Sequence, residues 1–127
     1  MKLRLQFNSI RLRLKRSEVE QFFHTGRVEE RIMCGTGDQE SFHYLLEATD
    51  TVSSPKGWIA PAGVVVQVPM ADALNWALTD KIGIEGEQAI DNRASLRILI
   101  EKDFACLDGN DPHDEDAFPN PNAGSAC

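Results

Sequence analysis

No Cys-x-x-Cys pair occurs in this sequence, and its 3 cysteines (Cys34, Cys106, Cys127) stand far apart. That excludes a zinc ribbon and a thioredoxin-like redox motif, and a disulfide framework would leave one thiol over. In a reducing compartment all three stay thiols. No apolar run approaches the roughly 18–20 residues of a membrane-spanning helix, and no apolar signal segment follows the basic start. Positive charge is also short, with 13 Lys and Arg against 20 Asp and Glu and a net charge of −7. The chain as a whole should repel nucleic acid and anionic lipid. A cytoplasmic protein that binds neither nucleic acid nor membrane is the expectation.

The 127 residues leave room for one domain with a small core. At 42% apolar and 26% charged, the composition is that of an ordinary globule, not a coiled coil or a disordered chain. Its charge is unevenly spread. Residues 1–32 hold eight cations (Lys2, Arg4, Arg11, Arg13, Lys15, Arg16, Arg27, Arg31) against four acids. From Asp103 onward there are six acids and no Lys or Arg. Either the two ends attract each other, within one chain or across a dimer, or both are solvated.

Hydrophobic spacing predicts the elements. Leu3, Leu5 and Phe7 alternate with polar residues, then Ile10, Leu12 and Leu14 do so in the opposite parity. A parity change inside one strand would turn half of it inside out, so a tight turn or a bulge falls at Asn8-Ser9; a hairpin is the preferred reading. Ser17-Glu18-Val19-Glu20 reads as a capping box opening a short helix over 17–25, which Gly26 ends. Val28, Ile32 and Cys34 alternate inward, with Glu30 on the same side. After the Gly35-Thr36-Gly37-Asp38 turn, Phe42, Tyr44 and Leu46 form a return strand. Trp58-Ile59 begins another, and the β-branched run Val64–Val68 reads as a strand buried on both sides. Met70, Ala73, Leu74, Ala77 and Leu78 make an apolar helical stripe with Trp76 at its margin. Residues 82–87 form a short edge strand, and Leu96, Ile98 and Ile100 a last strong one. No internal repeat is visible.

The order predicts an α+β fold: a curved, mainly antiparallel sheet of about six strands, barrel-like at the limit, with two short helices. Residues 1–107 form the domain. Residues 108–127 form an acidic arm rich in Pro, Asn and Gly, either disordered or draped over the body with Phe118 as anchor.

Candidate chemistry centres on Arg4, Arg11 and Arg13, which alternate on two neighbouring strands and should share a face. Opposing strand residues stand about 5 Å apart, close enough for guanidinium groups to converge on a carboxylate or phosphate. Glu101 should reach the same face, and Asp103 lies just beyond it. The plainer reading is an ion-pair network of the arginines with Glu101 and Asp103, or a solvated face neutralised by Glu29, Glu47 or the acidic tail. The functional reading makes the arginines a ligand site with Glu101 as acid or base. Cys106, Asp108, Asp111, His113, Asp114, Glu115 and Asp116 offer metal donors, but their spacing fits neither a zinc module nor an EF-hand, so no metal site is assigned. Gly35-Thr36-Gly37 has the makings of an anion nest but is ordinarily just a turn. Cys34 reads as a small buried hydrophobe, His24 as a helix cap and His43 as solvated. Glu30 is either a buried carboxylate with a raised pKa or sits at a bulge or strand end.

Two segments carry a resemblance: Met1-Lys-Leu-Arg-Leu-Gln-Phe-Asn-Ser-Ile-Arg-Leu-Arg-Leu, and Leu96-Arg-Ile-Leu-Ile-Glu-Lys-Asp-Phe-Ala-Cys-Leu followed by Asp114-Glu-Asp-Ala-Phe-Pro-Asn-Pro. With Val66-Gln-Val-Pro and Ala73-Leu-Asn-Trp, they resemble a family of small uncharacterised bacterial proteins, a domain of unknown function, over essentially the whole chain. The resemblance implies a bacterial, cytosolic, single-domain protein and places the Phe118-Pro-Asn-Pro segment within the domain. It transfers no catalytic residue.

The expectation is a ligand-binding or interaction module without cofactor. Its Arg4/Arg11/Arg13 face, with Glu101 and Asp103, would take a small anionic molecule or an acidic segment. The alternatives are an enzyme acting on a phosphorylated or carboxylated substrate, or a metal protein using the Cys106–Asp116 stretch.

Overall fold

The computed structural model describes residues 1–105 and 116–119. Eight strands and two helices follow in the order β1 (Lys2–Gln6), β2 (Ser9–Leu14), α1 (Arg16–Thr25), β3 (Arg27–Met33), β4 (Ser41–Thr49), β5 (Lys56–Ala60), β6 (Gly63–Pro69), α2 (Met70–Leu78), β7 (Gly83–Ala89) and β8 (Ser95–Lys102). The fold is α+β, but the strands form two four-stranded sheets, β1-β2-β8-β7 and β3-β4-β6-β5, which do not close into a barrel. The expected single sheet of about six strands counted hairpins correctly as antiparallel pairs. It missed that each sheet joins two hairpins through a parallel central pair, β2 with β8 and β4 with β6.

This arrangement is a pseudo-two-fold repeat. Each half is hairpin, helix, hairpin, and a shift of 54 positions carries Ile10, Leu12 and Leu14 onto Val64, Val66 and Val68, and Val19 and Phe22 onto Ala73 and Trp76. All ten are buried. Ladder register repeats too: Leu12 pairs with Ile100 as Val66 pairs with Leu46. Nothing in the residue identities announces the repeat, because sheet and helix positions ask only for an apolar side chain of fitting volume. Inward residues of both sheets and the two helices make one core, with Trp76, Leu14, Leu46, Val66, Val68, Ile98 and Ile100 fully enclosed.

Within each sheet both hairpin turns lie at one end, since the parallel pair starts together, and the helices join the hairpins' open ends. The first turn is Phe7-Asn8, both left-handed at φ 49° and 53°. Phe7 is therefore a turn residue, 91% exposed, not the third inward residue of β1.

Local corrections follow the same logic. Helix α1 begins one residue early, with Lys15 as N-cap; its N–H donates to Glu18 Oε1 at 2.9 Å. Ser17 faces outward, and its N–H donates to Asp116 Oδ1 at 3.1 Å, an acid at a helix N-terminus. Gly26 takes the expected left-handed end at φ 73°. In α2 the buried residues are Ala73 and Trp76, while Leu74 and Leu78 are exposed, so the helix turns its indole to the core instead of the centre of the apolar stripe. Strand β3 runs past the core: Val28 is buried, but Ile32, Met33 and Cys34 are exposed. Strand β6 buries Val64, Val66 and Val68 on one face only.

Candidate functional site

Pairing of β1 with β2 sets Arg4 directly opposite Arg11 and Lys2 opposite Arg13. Alternation then sends all four cations to the outer face of the first sheet, because Leu3, Leu12 and Leu14 fill the inner one. On the other side of β2, Arg13 pairs in register with Glu101 of β8. Arg11 Nε donates to Glu101 Oε1, and Arg13 Nε lies 3.6 Å from the same oxygen. The hydrogen bond and charge of Glu101 raise Arg11's pKa, opposed in part by burial. Arg4 is exposed and has no ion-pair partner among the described residues.

The expected network thus forms in part. Glu101 holds Arg11 and Arg13, but Asp103 does not join the arginines: its Oδ2 takes Lys2 Nζ at 3.1 Å, while its backbone joins Leu14 and Phe118. Glu29 and Glu47 lie on the second sheet, Glu29 held by Arg27 and His43 and Glu47 by Gln67. The hydrogen bonds from Arg27 and then His43 lower Glu29's pKa.

Pseudo-symmetry supplies a comparison within the chain. The counterparts of Arg4, Arg11 and Arg13 are Trp58, Val65 and Gln67, in identical register on β5 and β6. Glu101's counterpart is another glutamate, Glu47, facing Gln67. The second sheet forms without a cation at any of the three positions, so the ladder does not require arginine there.

Other candidates resolve differently. The Gly35-Thr36-Gly37 turn holds an anion, and it is the chain's own: Gly37 N–H donates to Glu40 Oε2 at 2.6 Å. Glu30 is half-buried and accepts from the Met1 ammonium at 2.9 Å. Burial alone would raise its pKa, but the hydrogen bond and charge of that ammonium outweigh it and hold the carboxyl below the usual range. Cys34 is an exposed thiol. His43 is anchored, Nδ1 lying 3.1 Å from Glu29 Oε1 and Nε2 3.2 Å from Ser41 Oγ. Cys106, Asp108, Asp111, His113, Asp114 and Glu115 lie outside the described residues; among those described, no cluster of three metal-ligating side chains occurs. No described helix is long and apolar enough to cross a membrane.

Two features escaped the sequence reading. Lys102 is buried, its Nζ donating to Thr79 O at 2.7 Å and lying 5.4 Å over the Phe118 ring, and burial lowers its pKa. A cleft of about 520 Å³ opens between the β1–β2 and β7–β8 turns and strand β5, with Phe7, Trp58 and Ile59 in its lining. Phe7 next to Asn in a two-residue turn was the available signal, since such turns favour Asn and Gly.

A family model described as a family of unknown function (DUF7009) matches residues 1–122. No curated protein and no solved structure matches.

Proposed function

We propose, for a chain that belongs to that family of unknown function, a non-enzymatic binding module whose Arg4/Arg11/Arg13 face takes a carboxylate- or phosphate-bearing partner. One observation carries the reading: Arg11 and Arg13 share a single carboxylate, Glu101, while Arg4 opposite Arg11 has no ion-pair partner among the described residues, on a sheet whose twin forms with Trp58, Val65 and Gln67 in their places. Two positive charges are left over on an otherwise acidic chain. Arginine binds oxyanions through paired, charge-assisted hydrogen bonds, so Arg4 is the first contact and Arg11 and Arg13 exchange part of their hold on Glu101 for the ligand. Glu101, already committed to two cations, positions them and is not a free acid. A cytoplasmic, reducing setting would keep the exposed Cys34 a thiol.

Calorimetric titration at low salt with inorganic phosphate, citrate and a hexaglutamate peptide tests this and separates a free anion from an acidic segment. Binding of one of them, weakened about tenfold in Arg4→Ala and falling as salt rises, is the expected result. If none binds, or if Arg4→Glu binds as well as the parent, the reading fails.

A further inference from the structure

We infer that the cleft between the β1–β2 and β7–β8 turns and strand β5 binds a small, uncharged, mostly apolar molecule carrying one hydrogen-bonding group. This site is separate from the arginine face, and neither depends on the other.

Charge makes the first argument. The chain is 26% charged with a net charge of −7, yet none of the twelve residues lining the cleft is charged. An ionised ligand would lose its hydration there without gaining a counter-charge, which costs several kcal/mol. The lining selects a neutral occupant.

Size and shape make the second. About 520 Å³ lies within the range that holds a drug-sized molecule. Its floor is closely packed, not a defect: Gly57 is buried, and a Cβ there would come 3.1 Å from Ile10 Cδ1 and 3.4 Å from Leu96 Cδ2. Gly57 N–H is fixed by Gln88 Oε1 at 2.9 Å. The hollow is thus preformed above a solid base. Gln6 and Trp58 both line the cleft, and the Gln6 side-chain amide and Trp58 indole N–H have no hydrogen-bond partner among the described residues and can meet a polar group of the ligand.

Backbone strain makes the third. Phe7 sits in the lining at φ 49° with 91% of its surface exposed. Asn or Gly would serve the turn better, and a left-handed non-glycine residue costs about 1–2 kcal/mol. Retaining an exposed phenyl ring there, beside Ile59 at 77% and Ile90 at 56% exposure, makes no sense for folding. It does make sense if the ring closes over an apolar guest.

The test uses N-phenyl-1-naphthylamine, an uncharged aromatic amine that fluoresces in apolar surroundings. The full chain should bind one equivalent saturably, with energy transfer from tryptophan that falls in Trp58→Phe to the share supplied by Trp76. Phe7→Asn and Ile59→Asp alter only exposed side chains. With an unchanged or raised urea midpoint, each should weaken the probe at least tenfold, while Arg4→Ala leaves it unchanged. Non-saturable uptake, or equal binding by both cleft variants, overturns the proposal. So does sedimentation showing a dimer that Phe7→Asn dissociates, which would make a second copy the occupant. Phe7-dependent binding to phosphatidylcholine vesicles without probe binding in solution would assign the surface to lipid and also overturn it.

Discussion

Phe22 and Trp76 meet edge to face, ring centroids 6.0 Å apart and planes at 69°. Each is the seventh residue of its helix, so the contact joins one structural position to its own copy across the pseudo-two-fold axis. The indole Nε1–H also donates to Ile82 O at 3.0 Å, tying α2 to the approach of β7.

Truncation at this contact should be among the costliest in the chain. Trp76→Ala is expected to lose about 3–5 kcal/mol by urea denaturation, and Phe22→Ala a comparable amount. The double variant should lose less than the sum, because the two rings share one packing contact.

Gly63 has no room for a side chain: a Cβ would lie 1.6 Å from the carbonyl oxygen of His43, its partner in the parallel ladder. Gly63→Ala should cost more than about 3 kcal/mol or prevent folding, since backbone cannot step aside as a side chain can. Gly26→Ala, strained only by φ 73°, should cost about 1 kcal/mol. Equal midpoints for the two variants would refute this account of the parallel pair.

Phe7→Asn should raise stability by about 1 kcal/mol, because asparagine tolerates the left-handed turn that phenylalanine endures. Thermal and urea midpoints are the readout, and a fall in both would mean the ring contributes to the fold.

Acid sensitivity should trace in part to Glu30, together with Glu29 and Asp116, whose carboxyls are also held below the usual range. The folded Glu30 carboxyl titrates below the unperturbed value of about 4.3, so its stabilisation is complete above that pH and is lost as pH falls through the folded value. Glu30→Gln should therefore flatten the acid limb of the stability curve. Urea midpoints between pH 3 and 7 would show it, and parallel curves for variant and parent would refute it.

The Arg11–Glu101 pair is partly exposed, at 29% and 17% of the two side chains. A double-variant cycle with Arg11→Ala and Glu101→Ala should give a coupling of about 0.5–1 kcal/mol that shrinks with added salt.

Period-two alternation made much of the molecule legible. It placed Ile10, Leu12 and Leu14 inward and Arg4, Arg11, Arg13 and Glu101 outward, because a strand has only two faces and water claims the charged one. Gly26 announced the end of α1 by the same directness, a left-handed position being nearly reserved for glycine. Lys102 was not legible: alternation alone points it inward, but the sequence does not say that Thr79 O and Phe118 wait there to receive it. Cys34 and Ile32 misled in the opposite sense, since β3 outruns the core that should have covered them.

The residues by themselves thus determined which side chains face water, where helices start and stop, and that three arginines share a surface. These are local consequences of backbone geometry and hydration. Only the tertiary structure decided that hairpins pair in parallel, that the two halves are copies, that Asp103 goes to Lys2 and not to the arginines, and that two turns and β5 enclose a cleft. Such outcomes depend on contacts between segments distant in sequence. Many apolar sequences satisfy the same buried position equally well, so the packed arrangement leaves little trace in any one stretch of chain.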